Sequence, residues 1–115
     1  MKKIILCGLL LVTGLVSAQD IQPKLEAQGK YVKATYFHDN GQVQQTGYFL
    51  NGKPDGLWVS FDASGKKVAA GEYTDGKKAG QWLFWNDVAL TEVHYTDSRV
   101  ALVKNWKQDA VVNRN

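Results

Sequence analysis

Residues 35–61 laid over residues 59–85 agree at a period of 24: Gly41 falls on Gly65, Gly47 on Gly71, Gly52 on Gly76, Lys53 on Lys77, Gly56 on Gly80, Trp58 on Trp82 and Phe61 on Trp85, with no gap. A chain that repeats every 20 to 50 residues is a stack, because each unit can bury its apolar surface only against its neighbours. The pattern frays at both ends. His94 to Arg99 matches Glu72 to Lys77 at a spacing of 22, with Ser98 at the Gly76 position and Lys104 at the Trp82 position. Upstream, Gly29-Lys30 followed by Phe37 echoes Gly52-Lys53 followed by Phe61. Two full units, 36–59 and 60–83, therefore lie between partial ones, as expected where an outer unit has no neighbour on one side.

Within a unit the local signals are β. Leu57 to Phe61 and Gln81 to Trp85 are short, aromatic and β-branched runs, the composition of strands. Between them lie Asp39-Asn40-Gly41, Asn51-Gly52, Ala63-Ser64-Gly65 and Asp75-Gly76, residues that accept the positive φ of tight hairpin turns. Gly41, Gly52, Gly56, Gly65, Gly76 and Gly80 are read as turn glycines. The fold expected is all-β, a single small domain built as an antiparallel meander of tandem β-hairpins. Side chains alternate along a strand, so Phe37, Val59, Phe61, Leu83 and Trp85 share one face and Tyr36, Trp58, Trp82 and Phe84 the other. Both faces are partly apolar. Either the sheet curls so that both find cover, or one face offers aromatic side chains to a partner. Residues 99–106 read as a last strand; a helix carrying Leu102, Trp106 and Ala110 on one stripe is the alternative.

The first 18 residues have the layout of a signal peptide: Lys2 and Lys3, an uncharged apolar run from Ile4 to Val16, and Ala18 before a cleavage point at Gln19. The chain is thus expected to be exported, periplasmic or secreted, with a flexible lead-in at 19–28, the repeat domain at 29–106 and a tail at 107–115. Of 115 residues, 97 remain after cleavage, carrying 12 basic against 11 acidic side chains. A near-neutral chain without a basic block argues against nucleic-acid binding. The single cysteine, Cys7, leaves with the leader, which removes disulfides and thiolate chemistry.

The unit Gly-x-[Tyr/Phe]-x-[Asn/Asp]-Gly-Lys-x-x-Gly-x-Trp, present at Gly47–Trp58 and Gly71–Trp82, resembles the MORN repeat in the variant form of bacterial envelope proteins. The resemblance covers roughly residues 29–106. It implies a string of β-hairpins in an elongated sheet and a role as a module that binds proteins or lipids; some bacterial relatives are labelled antitoxins. The third unit departs from the pattern at Ser98 and Lys104.

No catalytic set emerges. His38 and His94 are the only histidines, too few for a zinc site with three or four ligands; His94 stands two residues from Glu92, on one face of a strand, where a structural hydrogen bond is possible. The aspartates sit at turns, and none lies in a calcium-loop pattern. The Gly-Lys pairs lack the phosphate-loop spacing. No cofactor or metal is expected. The aromatic residues, 4 Trp, 5 Tyr and 4 Phe, are either the core of the stack or partly an interface. Candidate partner-binding residues are Trp58, Trp82, Trp85, Tyr48, Tyr73 and Tyr95, and the same aromatic faces would also suit sugar rings. Lys66, Lys67, Lys77 and Lys78 are candidates for a basic edge on a lipid surface. The function expected is a non-enzymatic, exported module binding a protein partner in the cell envelope, with membrane-surface binding second and an antitoxin-like role implied by the resemblance alone.

Overall fold

The computed structural model describes residues 21–107; the segment expected as a signal peptide, with residues 19–20, and the residues beyond Lys107 lie outside them. The described residues form nine strands and no helix: β1 (Lys24–Gln28), β2 (Tyr31–Phe37), β3 (Val43–Leu50), β4 (Lys53–Pro54), β5 (Gly56–Phe61), β6 (Lys67–Thr74), β7 (Lys77–Trp85), β8 (Ala89–Thr96) and β9 (Arg99–Lys107). They make one antiparallel sheet in the order β9-β8-β7-β6-β5-β3-β2-β1, with β4 also paired to β3. The meander expected from the repeat is therefore the fold. Arg99–Lys107 is a strand and not a helix.

The repeat is visible in the ladder. β4 and β5 together are one interrupted partner of β3: Leu50 pairs with Lys53 before the break, Thr46 with Val59 after it. β7 opposes β6 in the same way, with Thr74 on Lys77 and Ala70 on Leu83 across a two-residue irregularity. The interruptions contain Gly56 (φ 93) and Gly80 (φ 68). These two are thus bulge glycines inside strands, while Gly41, Gly52, Gly65 and Gly76 occupy the turns as expected. At the two-residue turns Asn51-Gly52 and Asp75-Gly76 both residues have positive φ, the geometry whose twist matches paired strands.

The buried residues fall in one file across the strands: Ala34, Gly47, Trp58, Gly71, Trp82 and Val93. Register places them side by side, with Ala34 on Gly47, Trp58 on Gly71 and Trp82 on Val93. Trp58 and Trp82 are each 6% exposed. Each indole lies flat over the glycine eleven residues earlier. A Cβ built on Gly47 would stand 2.0 Å from Trp58 Cδ2, and one on Gly71 2.0 Å from Trp82 Cδ2. The indole N–H then reaches the carbonyl just past that glycine: Trp58 Nε1 donates to the Tyr48 carbonyl at 3.1 Å and Trp82 Nε1 to the Glu72 carbonyl at 3.0 Å. Gly-x10-Trp is one device, in which a bare backbone makes room for a ring and the ring's polar atom is satisfied.

Edge-to-face rings continue the file along the same face. Phe49 packs on Trp58 at 5.2 Å between centroids, Trp58 on Tyr73 at 5.8 Å, Tyr73 on Trp82 at 5.1 Å and Trp82 on Tyr95 at 6.2 Å. Lys78 covers the last two, its Nζ 5.2 Å from the Trp82 ring and 5.0 Å from Tyr95, a cation–π arrangement. Neighbouring turns are also tied together: Gly76 N donates to the Pro54 carbonyl at 2.8 Å and Ser98 N to the Lys78 carbonyl at 3.0 Å. At the opposite end His38 Nε2 meets the Phe61 carbonyl at 2.8 Å and Asn40 Nδ2 donates to the Ala63 carbonyl at 2.9 Å.

Two details differ from the sequence reading. The segment expected as a flexible lead-in contains β1, whose five residues pair with β2 from Lys24 on Thr35 to Gln28 on Tyr31; β2 needs a partner for its outer backbone groups, and β1 supplies it. In the last hairpin the irregularity between Val100 and Leu102 takes up one residue, not two, so Val103, and not Lys104, lies opposite Val93. Val93 replaces the glycine, Val103 replaces the tryptophan, and the ring-over-glycine device ends.

Candidate functional site

The six aromatic candidates separate. Trp58 and Trp82 are buried and hydrogen-bonded within the chain, so they are core and not available to a partner. Tyr73 and Tyr95 belong to the same ladder of rings and are half-buried. Tyr48 and Trp85 project from the other face. Tyr48 packs edge-on to Tyr31 at 6.2 Å, and Trp85 pairs with Leu90. No continuous aromatic surface unites all six, because alternation along the strands assigns them to different sides of the sheet.

The basic edge does not form. Lys66 and Lys67 stand where β6 begins and Lys77 and Lys78 just beyond where it ends, roughly 23 Å apart at about 3.3 Å per residue. Lys78 is engaged with two rings, and Lys53 beside that turn is paired with Asp75 at 3.4 Å. A hairpin sends successive turns to opposite ends of a sheet, so lysines in successive turns diverge.

What the structure does bring together lies at the C-terminal end. All nine residues of β9 are exposed. Val100 is 59% exposed, Leu102 47%, Val103 49% and Trp106 44%. β9 pairs only with β8, which leaves its outer row of backbone N–H and C=O groups unpaired among the described residues. The strand contains no proline. The opposite edge, β1, has five residues.

On the face of Trp85, register sets a small lattice. Trp85, Leu90 and Trp106 form one row, Leu83, Glu92 and Lys104 the next, and Gln81, His94 and Leu102 the third. Glu92 is its centre. His94 Nε2 lies 2.8 Å from Glu92 Oε2, and Trp106 Nε1 donates to Glu92 Oε1 at 3.2 Å. The pairing of Glu92 with His94 is the one suggested by their spacing; Trp106 joins it from 14 residues away. The hydrogen bond from His94 holds the Glu92 carboxyl below its ordinary range against the opposing effect of desolvation, helped by the Gln81 and Trp106 side chains and by the charge of Lys104. Trp85 Nε1 is buried without a hydrogen-bond partner.

Among the described residues no group of three or more His, Cys, Asp or Glu is placed to hold a metal ion. Asp62 is also held below its ordinary range, by the Ser64 hydroxyl and the Lys66 backbone N–H; that is the geometry of a turn, closed by Ser64 Oγ at 2.7 Å. No family model, no curated protein and no solved structure matches the chain.

Proposed function

We infer that this chain is an exported, non-enzymatic repeat module that docks a protein partner, and that the docking element is β9 with the side chains it exposes. The observation that supports this reading is a nine-residue edge strand, exposed throughout, with four large apolar side chains and a backbone edge unpaired among the described residues. A free edge of this kind is a template for another extended segment. Hydrogen bonds along the main chain supply affinity, and alternate side chains supply specificity. The aromatic ladder, which ends at Tyr95 on the neighbouring β8, is the scaffold that carries the edge. Export rests on the leader sequence, and the absence of catalysis on the lack of any constellation in the sequence that would carry it.

The test is site-specific photocrosslinking in intact cells. A photoreactive residue at Ala101 on β9 is compared with one at Glu26 on β1. Crosslinks to one protein from Ala101 and not from Glu26, lost when Val103 is replaced by proline with the fold retained, support the reading. Equal labelling from both positions, or none from β9, refutes it.

A further inference from the structure

The lattice centred on Glu92 has the chemistry of a site and lies on the face opposite the ring-over-glycine file. Its nine side chains project from one face of three adjacent strands, about 10 Å across from β7 to β9. Two tryptophans straddle Leu90 in the first row, and the second exposes 44% of its surface. Two polar groups in the other rows are planar and held in place: the Glu92 carboxylate by His94, Trp106 and Gln81, and the His94 imidazole by that carboxylate. Gln81 and Lys104 are exposed. Beside them lies a shallow hollow of about 340 Å³, lined by Leu57, Ala70, Glu72, Ala79, Gln81 and Leu83 among others.

We propose that this face binds a neutral saccharide, with a pyranose ring stacked on Trp106 and neighbouring hydroxyls hydrogen-bonded to Glu92, His94 and Gln81. The charge pattern selects this class. Glu92 and Lys104 offset one another, and Glu72 adds a second carboxylate at the hollow. Carboxylates accept hydroxyl donors and repel anionic sugars. An aromatic face next to immobilised hydrogen-bonding groups suits a ligand that is apolar on its C–H side and polar at its rim. Prior fixation of Glu92 lowers the ordering cost of binding. The site lies on the sheet face and shares Trp106 and Leu102 with the protein-docking reading, but the sugar titration and the crosslink from Ala101 test the two separately.

The test uses the chain as it is exported, with its tryptophan indole and histidine ring resonances resolved by NMR. Cellotetraose, chitotetraose and maltotetraose are titrated in turn into the millimolar range, where shallow sites of this kind bind, about 1 mM corresponding to roughly 4 kcal/mol. At least one sugar is expected to shift the Trp106 indole and the His94 ring while the Trp58 and Trp82 indoles stay fixed. Trp106→Ala should weaken that binding by about tenfold or more. Trp106→Phe, which keeps one aromatic ring but loses part of the stacking face as well as the bond to Glu92, should weaken binding less than Trp106→Ala does. Glu92→Gln should weaken binding with the backbone spectrum unchanged. No shift of Trp106 or His94 with any of the three sugars overturns the proposal, as does undiminished binding by Trp106→Ala. A response to a lysine-rich peptide but not to sugar overturns it too, and assigns the carboxylates to a cationic partner.

Discussion

Gly71→Ala is the sharpest probe of how this sheet is held together. The φ of Gly71 is not in the left-handed region, so on backbone grounds alanine is acceptable there and would normally stabilise a strand by roughly 0.5–1 kcal/mol. The obstacle is the Trp82 ring: the added Cβ would meet Cδ2 at 2.0 Å, Cε2 at 2.3 Å and Cγ at 2.4 Å. Real carbon contacts optimise near 3.5–4.0 Å, so the indole must leave. Displacing it costs the packing of a buried tryptophan, about 3–5 kcal/mol, and breaks its bond to the Glu72 carbonyl. For a domain of this size, with a total stability of roughly 5–15 kcal/mol, that is a large part of the whole. The measurement is a double-mutant cycle by urea unfolding, followed by fluorescence and far-ultraviolet circular dichroism. Trp82→Ala alone should cost about as much as Gly71→Ala alone. In the Trp82→Ala background, Gly71→Ala should cost nothing or stabilise by up to about 1 kcal/mol. If Gly71→Ala costs the same in both backgrounds, the glycine is not there for the ring and the reasoning fails.

Three further outcomes follow from the same geometry. Trp58→Phe loses the indole bond to the Tyr48 carbonyl and should destabilise by about 1–3 kcal/mol beyond the change in ring size, whereas Trp85→Phe removes a buried donor with no acceptor and should cost distinctly less; chemical denaturation of the pair measures the difference. Ser98 has φ 65 and its Oγ accepts from Lys78 N at 2.9 Å, so Ser98→Ala keeps the strain and loses the bond, and should be less stable than Ser98→Gly by roughly 1 kcal/mol. Glu92 is held below its ordinary range when folded; a depressed carboxyl stabilises the fold at higher pH and loses that contribution as pH falls through its folded value. Thermal melts should therefore show a fall on the acid side of the carboxylate range that is smaller in Glu92→Gln.

Much of this fold can be read from the chain. The period of 24, the Asn-Gly and Asp-Gly pairs and the short aromatic runs lead to an antiparallel meander, because hairpin turns and strand alternation are local properties. The division into Tyr36, Trp58, Trp82 and Phe84 on one side and Val59, Leu83 and Trp85 on the other follows from the same alternation. The reason for Gly47 and Gly71 does not. In the sequence they resemble the turn glycines, yet they exist to accommodate rings eleven residues away, a distance that becomes contact only after the register is set. The strand at Lys24–Gln28 is hard to read from the chain because it is short, only Leu25 and Ala27 in it are apolar, and its justification is the open edge of β2. The two pairs of lysines look adjacent along the chain, but a strand of eight residues separates them in space.

The candidate site shows the same division more sharply. Glu92 and His94 were visible as neighbours on a strand, and their bond formed. Trp106 reaches Glu92 because a one-residue irregularity in β9 sets which side of the strand it occupies, and no composition or spacing rule states that irregularity. The sequence alone determined the all-β class, the hairpin repeat and the residues of each turn, since these depend on φ preferences and on a period of two. Tertiary structure decided which tryptophans are core, which face gathers Trp85, Glu92, His94 and Trp106, and which strands lie at the two edges of the sheet. Those depend on inter-strand register, and a shift of a single residue moves every side chain beyond it to the opposite face.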